Sequence, residues 1–218
     1  QFTSTTNNST VTFDKTAPSA PVITRANATT VVGTAEGTST VKVYASDGIT
    51  LLGSGTADGN GNYSVTLNSS QTNGATIKVS STDAAGNVSS LTTGTVDALP
   101  PTLTAVTISS DNATTTLAKV GDVVTVNFTA SESIQTPTVT IGGIGATVSN
   151  TSGNNWTATA AMTSNVLSGL IPFTVDYTDL SGNAGTQFTS TTNNSTVTFD
   201  KTAPSLTAVT ISSNNATT

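Results

Sequence analysis

Neither cysteine nor histidine occurs in this chain. Without cysteine the chain has no disulfide framework, no thiolate zinc site and no cysteine nucleophile. Without histidine it has no Ser–His–Asp triad. A cysteine-free chain is compatible with either side of a membrane, so this absence excludes kinds of chemistry and assigns no compartment.

Charged residues are scarce and mostly acidic. They make up 8% of the chain, with six Lys+Arg against twelve Asp+Glu, a net charge of -6 and a pI near 4.1. Nucleic acid is a poor partner for such a chain, because binding phosphates requires a basic stripe. No apolar run is long enough to span a bilayer, so we expect no membrane insertion in this segment.

Aromatic residues are also few, at 5% of the chain. A pair of carboxylates hydrolyses glycosidic bonds in many enzymes. A sugar cleft, however, normally has aromatic platforms, and no nucleophile–base pair can be named here. We therefore expect that the protein is not an enzyme.

The residues that are present predict a folded chain built from strands. Hydrophobic residues make up 34% and the mean hydropathy is +0.02, whereas disordered segments combine low hydrophobicity with high charge. Threonine and valine favour strands, and glycine and asparagine favour turns. The composition therefore predicts an all-β fold.

Two internal repeats define the organisation. The letters QFTSTTNNSTVTFDKTAPS at residues 1–19 return unchanged at residues 187–205, an offset of 186 from Gln1 to Gln187. LTAVTISSDNATT from Leu103 returns as LTAVTISSNNATT from Leu206, an offset of 103. Identity at a fixed offset is typical of a repeat array. We expect the last strands of one repeat, two complete domains and the start of a further repeat, at residues 1–14, 15–97, 98–200 and 201–218.

Short alternating runs separated by turn signals predict seven strands in each complete domain. In the first domain the runs are 21–24, 30–35, 40–45, 51–57, 62–67, 75–81 and 90–96. In the second they are 103–109, 123–130, 138–141, 146–150, 156–160, 171–178 and 187–199, the last with a hairpin or kink at Asn193-Asn194. Trp156 is interpreted as a core or sheet-face anchor. The predicted fold is all-β, with tandem immunoglobulin-like β-sandwich domains joined end to end.

The few acidic residues recur at the predicted junctions. In a seven-strand sandwich the B–C and F–G loops share the end at which the domain's own linker enters. Three carboxylates there repel one another unless a cation joins them, and calcium suits them because it takes six to eight oxygen ligands. Asn side chains of the F–G loops add further oxygens. The predicted ligands are Asp14, Glu36, Asp83 and Asn87 for the first domain, Asp97, Glu132, Asp179 and Asn183 for the second, and Asp200 for the next linker.

A second interpretation of the same acids needs no metal. D-x-x-G-N is also a tight turn, in which Asp closes an Asx-turn and Gly takes a positive φ. DKTAP is then a strand end followed by a proline stop. Asp58, in the D–E loop of the first domain, fits either a turn or the first metal site.

The first domain resembles a known family. VVGTAEGTSTVKVY, LLGSGTADGNGNYSVTL and TIKVSSTDAAGN, together with a D-x-TAP linker, resemble the bacterial Ig-like repeats of very large biofilm-type surface adhesins. Residues 98–200 match more loosely, through TASES, YTDLSGN and FDKTAP. The resemblance implies long tandem stalks outside the cell, with calcium at the junctions between modules.

Two functions follow as expectations. The first is a structural stalk segment of a bacterial surface adhesin, whose partners are the neighbouring repeats of the same chain and whose junctions are rigidified by calcium. The alternative is a subunit of a self-assembling extracellular filament or sheath, in which other copies of the chain complete the sandwiches by strand addition.

Overall fold

The computed structural model describes residues 13–214, and every regular element in that range is a strand. The chain forms two compact units. Among the described residues, unit 1 comprises 13–102, Glu132–Gln135 and Tyr177–Thr186, and unit 2 comprises Leu103–Ser131, Thr136–Asp176 and 187–214. Two loops that the sequence analysis placed in the second domain thus group with unit 1. No helix in the described range is long and apolar enough to cross a membrane.

Unit 1 contains the seven strands that the sequence predicts. They are β1 (Val22–Ala26), β2 (Thr30–Thr34), β3 (Thr40–Ala45), β4 (Leu51–Thr56), β5 (Asn62–Thr66), β6 (Thr76–Thr82) and β7 (Thr92–Thr95). They form two antiparallel sheets, of order β1-β2-β5 and β4-β3-β6-β7. All-β sandwich architecture is therefore confirmed for this unit.

Strand alternation builds the core of unit 1. Val41 and Val43 of β3 and Ile77 and Val79 of β6 are fully buried, since alternate side chains point to the same face of a sheet. Tyr63 of β5 is also buried, and its hydroxyl donates a hydrogen bond of 3.1 Å to the Val22 carbonyl oxygen. Burial raises the pKa of Tyr63 to about 12. Its phenol thus remains a neutral donor that ties β5 to the start of β1.

Unit 2 has ten strands in three sheets. They are β8 (Leu103–Ser110), β9 (Leu117–Ala118), β10 (Val123–Ala130), β11 (Thr138–Ile141), β12 (Ile144–Gly145), β13 (Thr147–Ser152), β14 (Asn155–Ala161), β15 (Gly169–Leu170), β16 (Phe173–Asp176) and β17 (Thr198–Phe199). The sheet orders are β13-β14-β10-β8, β12-β11-β16 and β15-β17-β9. Trp156 of β14 is buried, as are Phe128 and Phe173, which confirms that the tryptophan is a core residue.

The predicted strand at residues 187–199 is wrong in most of its length. Phe188 forms an isolated bridge with Val175, and regular pairing returns only at β17. Between them Asn194 takes a left-handed φ of 60°, at the predicted kink. The segment instead follows the edge of β8 without forming a strand. The hydroxyls of Thr192 and Ser195 accept hydrogen bonds from the amides of Val106 and Ile108, and the Thr192 amide donates one backbone hydrogen bond to the Val106 carbonyl oxygen.

Candidate calcium site

Three of the predicted ligands lie together in unit 1. One carboxylate oxygen from each of Asp97, Glu132 and Asp179 lies within 4.8 Å of the other two. Asp97 follows β7 and is fixed by its amide, which donates to the Ala26 carbonyl oxygen at 2.9 Å. Glu132 lies in the loop after β10, and Asp179 in the turn after β16. The sequence prediction that linker, B–C loop and F–G loop converge holds for these residues.

The turn 179–183 fixes the most buried of these carboxylates. Asp179 is 1% exposed, and its two carboxylate oxygens accept hydrogen bonds from Asn183, at 2.7 Å from the backbone amide and 2.8 Å from Nδ2. Gly182, with a φ of 91°, closes the turn. The D-x-x-G-N turn of the second interpretation is therefore present. It coexists with the carboxylate cluster, because the turn holds Asp179 in place beside Asp97 and Glu132.

Asn183 also joins this turn to the linker. Its Nδ2 donates a second hydrogen bond, of 3.0 Å, to the Asp97 carbonyl oxygen. The side-chain nitrogen Nδ2 of Asn183 thus contacts both the Asp179 carboxylate and the backbone of Asp97. The Oδ1 of Asn183 is the side-chain atom that remains for a cation.

A residue that the sequence analysis did not single out completes the loop contacts. Gln135 donates from Nε2 to the Asp179 carbonyl oxygen at 2.8 Å, and from its amide to the Thr178 carbonyl oxygen at 2.8 Å. Ile134 forms an isolated antiparallel bridge with Asp179. This short pairing brings the loop of Glu132 against the turn of Asp179. In the sequence, the strand-like Ser-Ile-Gln run directly after Glu132 is the feature that could have indicated this pairing.

No carboxylate of the cluster forms a salt bridge within the described residues. Burial, and then the negative charges of Asp97 and Asp179, raise the pKa of the Glu132 carboxyl above its usual value. Within residues 13–214 the salt bridge found is Lys119–Asp122, in unit 2. Three carboxylates that form no salt bridge are a donor set that suits calcium. The residues present therefore fit this cation.

The first predicted site is only partly assembled. Asp83 and Asn87 repeat the same turn, with 2.8 Å from the Asn87 amide and 2.9 Å from its Nδ2 to the Asp83 carboxylate. These hydrogen bonds lower the pKa of Asp83, and the one from the Asn87 side chain has the largest effect. The Nδ2 of Asn87 also lies 3.3 Å from the Asp14 carbonyl oxygen. Asp14, Glu36 and Asp83 do not form a carboxylate cluster within the described range, so a metal site there stays a prediction.

The remaining candidate acids lie in turns. The carboxylates of Asp14 and Asp200 each accept a hydrogen bond from the amide two residues later, at 2.9 Å and 2.8 Å. Asp97 makes the same Asx-turn contact at 3.2 Å. Asp58 accepts hydrogen bonds from Asn62 and Asn60, and the side chain of Asn62 is the main cause of its lowered pKa. Asp58 is therefore a turn residue, and the role of Asp200 as a ligand stays a prediction.

The strand pattern defines the class of the first unit as an immunoglobulin-like β-sandwich. Residues 17–98 match the family model of the bacterial Ig domain. This match confirms the family resemblance found in the sequence of the first domain. No curated protein matches the chain.

Several solved structures are similar to this chain. Fibronectin(III)-like modules of Clostridium thermocellum CbhA are 16% identical over 85% of this chain and 90% of theirs, with a TM-score of 0.40. A structure from a 1.5-MDa bacterial ice-binding adhesin is 24% identical over 86% of this chain and 67% of its own, with a TM-score of 0.37. A calcium-stabilized adhesin of an Antarctic bacterium is 24% identical over 81% of this chain, which spans 45% of that structure, with a TM-score of 0.34. At these scores the likeness assigns no function to this chain.

Proposed function

We propose that the chain is a stalk segment of a large bacterial surface adhesin, in which successive Ig-like modules extend outward from the cell. Three features support a structural role. The sequence is repetitive, residues 17–98 match the family model of the bacterial Ig domain, and residues 103–199 contain further β-sheets. In this proposal the protein is extracellular, is not an enzyme, and has the neighbouring repeats of its own chain as principal partners.

Calcium at the linker is the second part of the proposal, and the carboxylate cluster carries it. Asp97, Glu132 and Asp179 would each supply a carboxylate oxygen, and Asn183 its Oδ1. Water would complete the six to eight oxygens that calcium takes. Because Asp97 directly precedes residues 98–102, a shared cation would tie the start of this linker to two loops and restrict its motion.

The expected energy is sufficient for such a restriction. Extracellular calcium modules bind with a Kd of about 10⁻⁴–10⁻³ M. At a hundredfold excess over Kd, one site stabilises the bound state by about 2.7 kcal/mol. A linker that samples several arrangements without the ion would then be held mostly in the bound one.

Calcium titration with a matched pair of variants tests this function. We expect isothermal titration calorimetry to show binding in the range of about 10⁻⁴–10⁻³ M. Small-angle scattering curves should differ between calcium and chelator. Asp179→Asn should remove both responses at this linker. Asp176→Asn, which removes an acid outside every predicted ligand set, should keep them. Identical wild-type scattering in calcium and chelator would remove calcium from the proposal.

The filament alternative has one observation in its favour. Leu206, Val209 and Ile211 are 87%, 79% and 99% exposed, although they belong to a segment with strong strand propensity. The complementary segment at residues 1–12 lies outside the described residues. Strand addition between chains predicts that mass in solution rises with concentration. It also predicts that Leu206→Ser with Val209→Ser abolishes the rise.

A further inference from the structure

One edge of the main sheet of unit 2 is long, exposed and uncharged. β13 is the outer strand in the order β13-β14-β10-β8, and five of its six side chains are exposed. Its sequence, TVSNTS, contains no proline, no glycine and no charge. Within the described range no strand pairs with β13 on the side away from β14. Its outward amides and carbonyls are therefore free to pair with another strand.

Three other sheet edges contrast with this one. The opposite edge of the same sheet is β8, where Thr192 and Ser195 accept hydrogen bonds of 2.9 Å from the amides of Val106 and Ile108. In unit 1 the edges of β4 and β5 lie against each other, since a Cβ on Gly53 would meet the Thr66 carbonyl oxygen. Proteins commonly protect exposed edges with charge, proline, bulges or covering segments. β13 has one irregularity of register, near its end at Asn150/Ser152, and none of the other protections.

The sheet itself holds β13 in a fixed register. Thr157 donates to the Asn127 Oδ1 and Thr129 donates to the Asn155 Oδ1, each at 2.7 Å, so β14 and β10 are linked by side chains as well as by backbone. β14 in turn pairs with β13 along most of its length. An edge strand that is already extended loses less conformational entropy when it pairs with a second strand.

Charge identifies the occupant. The chain carries a net charge of -6, so two copies repel wherever acidic residues meet. No charged residue lies between Glu132 and Asp176, and β8 and β10 are uncharged too. The main sheet of unit 2 is thus a surface on which two copies approach without like-charge contact. An antiparallel pair of identical strands is also self-complementary about a two-fold axis.

From this placement the geometry points to a homotypic contact: β13 of one chain pairs antiparallel with β13 of a second copy, and the two four-stranded sheets become one. This lateral contact goes beyond the proposed stalk function. A single pair of six-residue strands buries less area than a standard interface, so the contact is weak for one pair of domains. Stalks with many such domains side by side gain avidity from multivalency. Because no carboxylate lies on the sheet, the contact does not require calcium.

Disulfide trapping tests the position of the contact. Because the chain has no native cysteine, each single-cysteine variant can form a disulfide only through the introduced thiol. Ser149→Cys places a single thiol at the exposed centre of β13, and Ser54→Cys places one at an exposed position of β4. Under mild oxidation of the full chain, Ser149→Cys should give a disulfide-linked dimer at several times the rate of Ser54→Cys. The rate should be the same with calcium and with chelator. Equal rates for the two variants would overturn the proposal.

Sedimentation velocity tests the energetics without a cross-link. The wild-type weight-average mass should rise toward the dimer between about 10 μM and about 1 mM, the range expected for a weak contact. Ser149→Lys should abolish the rise, since two copies would then bring like charges together on the edge. Ser54→Lys makes the same change of net charge and should leave the rise intact. A wild type that stays monomeric, or an association that persists in Ser149→Lys, contradicts the contact. Either result leaves the calcium-dependent stalk untouched.

Discussion

Replacing Glu132 by glutamine should change stability in opposite directions with and without calcium. Glu132 is near-isosteric with glutamine, and within the described residues no hydrogen bond to its carboxylate is present. In chelator, Glu132→Gln removes the repulsion between this carboxylate and those of Asp97 and Asp179, and it breaks no hydrogen bond seen among the described residues. In calcium it removes a charged ligand. Few other substitutions of a half-buried loop residue are expected to stabilise one state and destabilise the other.

The magnitude follows from the separation of the charges. Two unit charges 4.8 Å apart repel by about 0.9 kcal/mol at the dielectric constant of water and by about 3.5 kcal/mol at an effective value of 20. Glu132→Gln deletes two such pairs. For a site screened by salt and partly open to water, we expect a stabilisation of about 1–2 kcal/mol in chelator. In a domain of this size each kcal/mol raises Tm by about 4–8 °C.

Thermal unfolding followed by circular dichroism, in chelator and in saturating calcium, measures both effects. Wild-type Tm should rise with calcium, and the Glu132→Gln variant should start higher in chelator and respond well under half as much. Asp176→Asn removes an acid that accepts one hydrogen bond from Gln187 outside the cluster, and it should keep the wild-type calcium response. An unchanged calcium response in Glu132→Gln would refute the assignment of Glu132 as a ligand. A lower Tm in chelator would refute the repulsion.

Three further outcomes follow from named contacts. Asn183→Ala should cost about 1–3 kcal/mol in thermal or urea unfolding, because the carboxylate of Asp179, 1% exposed, loses its side-chain donor. Calcium affinity, measured by calorimetry from pH 7 downward, should fall as the pH falls through the raised pKa of Glu132, since binding must then displace a proton. In chelator the sign is opposite: the folded state holds this proton more tightly than the unfolded state, so stability rises over the same decrease in pH. Phe199→Ala should cost about 3–5 kcal/mol, because this side chain is fully buried, whereas Phe13→Ala, in the same local sequence but 86% exposed, should stay within about 0.5 kcal/mol in urea unfolding.

Local sequence predicted most strands but not the tertiary setting that a segment needs. The strand at residues 40–45 and the strand at 123–130 coincide with β3 and β10, since both alternate cleanly between apolar and polar residues. The repeated segment LTAVTISS shows the limit. At Leu103–Ser110 it is β8, paired with β10 and with four of its eight residues buried, whereas residues 206–213 form no strand and are exposed. Strand propensity is realised only where a neighbouring strand and a core are available.

The site was predictable to the extent that topology alone brings loops together. Strand direction was enough to place the linker of Asp97 beside the loop of Glu132 and the turn of Asp179. Strand direction did not show that a bridge between Ile134 and Asp179 would bring the B–C loop of Glu132 against the turn of Asp179. In the first domain the carbonyl oxygen of Glu36 instead accepts hydrogen bonds from both the amide and the hydroxyl of Ser39, which closes a tight local turn. The two B–C loops differ in backbone hydrogen bonding, and a list of acidic residues does not contain that information.

Acidic residues and the proposed lateral contact occupy separate parts of the chain, and this separation has a measurable consequence. The carboxylates that would bind calcium belong to unit 1, whereas β13 belongs to unit 2, in a stretch without charge. Effects at independent sites that share no partner are usually additive within about 0.3–0.5 kcal/mol. Glu132→Gln should therefore leave the cross-linking rate of Ser149→Cys unchanged, and Ser149→Lys should leave the calcium-induced change in Tm unchanged. The double variant Glu132→Gln with Ser149→Lys, measured for both association and the calcium-induced change in Tm, completes the double-mutant cycle. A coupling larger than about 1 kcal/mol would mean that calcium binding and lateral association report on one conformational equilibrium, and the two proposals would then have to be merged.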